Sequence, residues 1–261
     1  MRPWAALALL AAPAAAQDEP RFCPNRPDLG ASNCTTEPGR VLVELSAIDW
    51  TREDAGGVRE GTLVLGDLLA RFGVGRSSEV QVGFTVHGRV RTRDGATGVV
   101  ETVSGPGDLR LALRRNLSGQ DGGRFGLAVE PFVTVPVGRA PIGAGGWGAG
   151  VVLPVSYDLA AGWAALFTGE ATVGGDAPAS GSGGRRLGLG ATFGLGRALS
   201  ERVGAVAEIA VTRDDGPAAL VTAASVAWQP RPGLQFDVLA VAGLNRAASD
   251  VQLQLGAAVL F

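Results

Sequence analysis

Histidine occurs once in this sequence, at position 87, and that scarcity removes most of the catalytic chemistry the chain could carry. A hydrolytic site needs a nucleophile, a base and an orienting group within hydrogen-bond reach. On an extended strand the same-face neighbours of His87 are Thr85 and Arg89, with no serine at that spacing. A flanking cation also disfavours a second positive charge on the ring. Cys23 and Cys34 are the only cysteines, so a Cys/His metal set lacks ligands. No paired-carboxylate or phosphate-cradling motif stands out, and the glycines of "GSGG" before Arg185 and Arg186 are weak evidence alone. No enzyme, no metal and no cofactor is expected. Lysine is absent: all 23 basic residues are arginine, which follows base composition rather than function. A net charge of −2 offers nothing to nucleic acid.

Long apolar runs are also missing. After Gln17 nothing approaches the ~20 apolar residues of a membrane-spanning helix. Such a chain can occupy a membrane only as a closed barrel, because lipid leaves open backbone groups unsatisfied. Before Gln17, the basic Arg2, the apolar "WAALALLAA" and the small "AAA" have the layout of a secretory signal peptide, expected over residues 1–16. Residues 17–39 then form an N-terminal periplasmic segment containing "CPNRPDLGASNC". In an exported chain, Cys23 and Cys34 are expected to form one disulfide. The stapled loop reads as a structural plug or cap ahead of the first strand, with gating as a secondary reading.

Alternation is abundant. Residues 40–261 break into twelve stretches of period two, near 40–50, 58–72, 78–91, 107–116, 123–135, 147–158, 162–173, 185–197, 201–213, 217–229, 233–243 and 250–261. Most approach the ~9–11 residues a tilted membrane strand requires. In the last, "DVQLQLGAAVLF", every second residue back from Phe261 to Val251 is apolar, and Gln252, Gln254 and Gly256 lie between. An even count, with a last strand closing on the first, predicts an all-β transmembrane antiparallel up-and-down barrel over residues 40–261. Longer connections such as "TREDAGG", "TRDGATGVVETVSG", "PVGRAPIGAGG" and "GGDAPASGSGG" alternate with the tighter "GVGRSS", "LAAG", "ALSE" and "PRPG". Long external loops and short periplasmic turns are the barrel pattern, with "RDDGP" and "NLSGQDGG" as exceptions.

The aromatics separate lipid from water. Phe72, Tyr157, Trp228 and Phe261 end strands on the periplasmic side, while Phe125, Trp163 and Phe236 begin strands leaving it. All seven fall on the apolar phase, which predicts a membrane-interface girdle. Trp50 and Trp147 sit near the opposite rim, Trp50 on the polar phase. The polar phase supplies lumen candidates: Glu44 and Arg71, then Gln81, His87, Arg89 and Arg91, then Arg110 and Arg114. Acids follow at Glu130, Glu170, Glu208 and Asp237. Two readings of this set stay open: a charge-separated pore that steers a solute, or salt bridges that fill and rigidify the barrel.

Several segments carry a family likeness. "NRPDLGASNCTTEPGRVLVELSAIDWTRE", "LLARFGVGRSSEVQVGF", "GPGDLRLALRRNL", "VEPFVTVPVG" and "GVVLPVSYDLAAGWAA" resemble the MetA-pathway of phenol degradation family, often labelled "transporter". The resemblance implies a Gram-negative outer-membrane barrel passing small solutes passively, aromatic or hydrophobic ones among them. It implies no catalytic residue and does not explain the cysteine pair. The expected partners are outer-membrane lipid, a small-molecule solute, and the barrel-insertion machinery, which reads a terminal aromatic such as Phe261. The alternatives are a structural or adhesion barrel without a pore and, more remotely, an outer-membrane lipid hydrolase.

Overall fold

Alternation within each stretch becomes pairing between neighbours. A computed structural model of the protein describes residues 20–120, 123–175, 185–214 and 216–261. The expected signal peptide and most of the "GGDAPASGSGG" loop lie outside the described residues. The strands are β1 (Val41–Ala55), β2 (Val58–Gly75), β3 (Ser78–Asp94), β4 (Val100–Gly105), β5 (Leu109–Ser118), β6 (Phe125–Val135) and β7 (Gly148–Asp158). They continue as β8 (Trp163–Gly175), β9 (Arg185–Ala198), β10 (Val203–Arg213), β11 (Ala219–Arg231), β12 (Leu234–Gly243) and β13 (Val251–Leu260). All pairings are antiparallel, and β13 pairs with β1 from Leu42↔Leu260 to Arg52↔Val251, which closes the ring. Closure satisfies the edge groups that lipid cannot. The lower end of the barrel is the one at which β1 begins and β13 ends.

Thirteen strands make twelve staves. β5 pairs with the lower part of β3 (Phe84↔Leu109) and β4 with its upper part (Gly88↔Gly105). The break falls at Pro106, which has no N–H for the ladder, while the Gly107 N–H donates to the Thr85 carbonyl at 2.9 Å. "TRDGATGVVETVSG" is therefore the end of β3, a turn and β4, rather than a loop. The expected "TREDAGG" loop is also mostly strand, since β1 and β2 run on to Ala55 and Val58. They turn at Gly56 and Gly57, both at positive φ as a two-residue hairpin needs. β1 to β4 thus form a tall flank of the barrel.

A seam of phase reversal crosses this flank at one level. β1 carries an extra residue relative to β13 between Ser46 and Ile48. Below the seam Leu42, Glu44 and Ser46 are buried inward. Above it Asp49 turns inward and accepts from Gln252 and Gln254. β2 reverses at Gly66, whose φ is 71°. β3 reverses between Thr85 and Gly88. Trp50, expected on the polar phase, consequently stands on the exposed outer face, paired with Leu63 and Leu253.

Candidate functional site: a lumen occupied by the N-terminal segment

The N-terminal segment enters the barrel: residues 23–36 lie inside its lower end, bonded to strands on every side. Cys23 and Cys34 are joined by a disulfide across this loop. A loop taken out of water needs partners for its backbone N–H groups, and the wall supplies acidic acceptors. Glu44 on β1 accepts from the N–H groups of Asn25 (2.9 Å) and Arg26 (3.0 Å). Glu208 on β10 accepts from Leu29 (2.8 Å) and Gly30 (3.0 Å). Glu79 on β3 accepts from Thr36 at 2.6 Å, and Thr168 on β8 from Ala31 at 2.9 Å. Side chains complete the seat. The Arg26 guanidinium donates to Asp237 on β12 at 2.9 Å, and Ser225 on β11 donates to Asp28 at 3.1 Å.

The basic candidates of β2 and β5 bind the neighbouring acids and the plug together. Arg71 is fully buried. It donates to Glu79 (2.8 Å), Glu44 (2.9 Å), and the carbonyls of Cys23 (2.9 Å) and Cys34 (3.0 Å). Arg114 donates to Glu130 at 2.6 Å and to the Asn25 side-chain oxygen at 3.1 Å. Gln81 bridges Glu79 (2.8 Å) and Glu130 (2.9 Å). Arg110 donates to Glu130 at 2.7 Å and lies 4.1 Å over the Phe132 ring. These charges form a ladder from β1 to β6, not two segregated faces. Buried pairs of this kind are costly to break from one side, because the surviving charge is stranded.

Three wall glycines make room, the first being Gly73 of β2, where a Cβ would strike the Glu37 carbonyl. A Cβ on Gly126 of β6 would collide with the Asn33 side chain, and one on Gly256 of β13 with the Arg26 guanidinium. Opposite the ladder the wall is less filled. A cavity of about 130 Å³ lies beside the plug, bordered by Asp28, Thr168, Thr192, Gly194 and Glu208. A larger hollow of about 350 Å³ opens below it, between Cys23, Arg26, Gly196 and Gln235.

Glu170 is exposed on the luminal phase of β8, two residues above Thr168. His87, Arg89 and Arg91 are not luminal: the seam turns them to the exposed outer face, while Gly88 and Val90 are buried. All seven girdle candidates, Phe72, Phe125, Tyr157, Trp163, Trp228, Phe236 and Phe261, are exposed at the lower end of the barrel. Trp228 and Phe236 are cross-strand partners with ring centroids 6.0 Å apart. Glu79 is a site residue that sequence reasoning passes over, although counting back by two from Gln81 reaches it. Asn25 and Asn33 of the plug, and Gln120 of a turn, which donates to the Thr35 hydroxyl at 2.6 Å, have no periodic signal at all.

The family model described as "Putative MetA-pathway of phenol degradation" matches residues 24–261, taking in all of the barrel and most of the plug. The chain belongs to this family. No curated protein matches it. Solved structures with the same fold include a NanC porin at 9% identity and TM-score 0.51, covering 84% of this chain and 98% of that one. The KdgM porin has 6% identity and TM-score 0.51, covering 84% and 99%. The translocator domain of autotransporter NalP from Neisseria meningitidis has 12% identity and TM-score 0.53, covering 85% and 88%. This member of the phenol-degradation family is thus a barrel of the Gram-negative outer-membrane kind, and in such barrels the short turns mark the periplasmic end.

Proposed function

We propose that the protein is a passive outer-membrane channel for small solutes, closed at its periplasmic end by its own residues 20–39. One observation carries this reading: the lower lumen is closed by the N-terminal segment, and on the side of β8 to β11 the wall brings few side chains of its own to fill it. On β9 the luminal phase is Gly188, Gly190, Thr192, Gly194 and Gly196, which cannot fill a barrel. A purely structural barrel packs its interior with its own side chains. The path proposed for the unplugged barrel runs along β8 to β11, where the 130 Å³ cavity now separates plug from wall. No catalysis enters this reading, and the lone His87 stands beside Leu65 and Arg89 on the outer face.

Phenolic compounds are the first solutes to test. The family description points to them, and Arg110 stacked on Phe132 above the plug presents a cation and a ring to an incoming aromatic. Acidic sugars are the comparison, because one KdgM structure is described as a porin in complex with disordered oligogalacturonate. Phe261, exposed at the end of β13, is the proposed contact for the insertion machinery. The test is planar-bilayer conductance of the full chain and of a variant lacking residues 20–38. The full chain is expected to pass little current and the shortened one a steady current. A shortened barrel that keeps its unboiled gel shift yet passes none refutes the channel. Liposome swelling with phenolic, sugar and hydrocarbon solutes then ranks substrates.

A further inference from the structure

The arginines that the seam expels from the lumen form a surface of their own. Three rows of residues run across the outer face of β1, β2 and β3. Trp50 pairs with Leu63, and Leu63 with Arg89. One row higher, Arg52 pairs with Gly61, and Gly61 with Arg91. In the top row Asp54 pairs with Arg59, and Arg59 with Arg93. Five guanidinium groups thus share one face with a single carboxylate. Asp54 is taken by Arg59 at 2.9 Å and Arg52 at 3.7 Å. Arg89, Arg91 and Arg93 are exposed and make no ion pair or hydrogen bond with any described residue. Glu60 borders the same hollow, but it lies on the opposite phase of β2 and accepts a hydrogen bond from Thr92 at 3.4 Å.

The height of this patch identifies its surroundings. Phe72 marks the lower interface on β2, and Leu63 lies nine residues above it. At a rise of ~3.4 Å per residue and a tilt of ~40°, that is roughly 23 Å, close to the ~25 Å apolar band of an outer-membrane barrel. Below the arginines His87 stands beside Leu65, and the outer face is otherwise apolar, with Ile48, Leu68 and Phe72. Trp50 sits at the boundary, where indoles collect. A hollow of about 380 Å³ lies among Trp50, Leu63, Arg89, Arg91 and Arg93. Gly61 lies on its border, and a Cβ there would meet nothing within 4 Å.

We propose that this face binds a phosphorylated lipid of the outer leaflet, with its phosphates on Arg89, Arg91 and Arg93 and its acyl chains on the apolar strip below. Guanidinium forks match phosphate oxygens bidentately, and charge complementarity together with the largely apolar face below selects a lipid over a soluble anion. The channel reading is not required for this proposal.

The test uses the full-length protein in detergent, with lipid A, enzymatically dephosphorylated lipid A and inorganic pyrophosphate as separate probes. The variants are Arg89→Gln/Arg91→Gln/Arg93→Gln and a control at the lower end, Arg202→Gln/Arg231→Gln. The contributions of basic residues near an anionic surface compound, so the triple variant is expected to bind lipid A on the order of 100-fold more weakly. The control is expected to match the wild type, and dephosphorylated lipid A to bind all three weakly and alike. Single Arg91→Gln, expected to weaken binding roughly fivefold, serves if the triple variant does not fold. Equal binding of lipid A by wild type and variants overturns the proposal. So does pyrophosphate binding as tightly as lipid A, which would make this a soluble-anion site.

Discussion

Replacing Arg71 by methionine tests the seat of the plug at its most connected point. The guanidinium makes four hydrogen bonds, to two carboxylates and to the carbonyls of both cysteines, and is completely buried. Removing one member of a buried ion-paired cluster costs ~3–5 kcal/mol, most of it from stranding the other charges. Here the stranded acids keep some partners: Glu44 retains two backbone N–H groups, and Glu79 retains Thr36 and Gln81. The lower end of that range, about 3 kcal/mol, is therefore expected. At ~1.4 kcal/mol per decade, the seated state loses roughly 100-fold against the unseated one. Amide hydrogen exchange of residues 25–36 in micelles measures this opening directly. Exchange should accelerate by about that factor, with strand amides unchanged. Arg71→Lys should recover only part of the loss, since an ammonium cannot span four acceptors set around a planar fork. Unchanged protection in Arg71→Met would refute the seat as drawn. Loss of the unboiled gel shift would instead make Arg71 a residue of the barrel rather than of the plug.

Other variants probe the same geometry. Cys23→Ser/Cys34→Ser removes a constraint on a loop of separation 11, worth about 3 kcal/mol, so single-channel recordings should show more frequent opening, as should the wild type after reduction. Gly126→Leu puts a side chain where Asn33 passes, and should unseat the plug without touching any charge; closed-state conductance identical to wild type would count against the fit. Gln81→Leu deprives Glu79 and Glu130 of a shared donor, at ~1–3 kcal/mol, and should lower the temperature at which the unboiled gel shift is lost.

Period-two patterning carries the barrel because each wall residue answers to only two environments, lipid or lumen. Leu253, Leu255 and Phe261 on one phase and Gln252 and Gln254 on the other need no partner strand to be read. The seam is different. Its bulge is a relation between β1 and β13, and a chain read alone has no second strand to reveal a register shift. Gly66 is the one local hint, and a lone glycine in a strand is weak. Extending a phase that reverses beneath them therefore misplaces His87, Arg89, Arg91 and Trp50. The stapled loop is legible as a plug or cap, but its partners in the lumen are not, because its hydrogen bonds join residues as far apart as Arg26 and Asp237. Glu79, by contrast, is recoverable from the alternation of β3 itself.

The acceptors that hold the stapled loop come from β1, β3, β8, β10 and β12, which span the whole order of the wall. No partial sheet can present them together, since Glu44 and Asp237 come within reach of one Arg26 only after β13 has met β1. The complete seat of this segment thus belongs to the closed ring alone. A corked barrel therefore reports that the hoop has been completed.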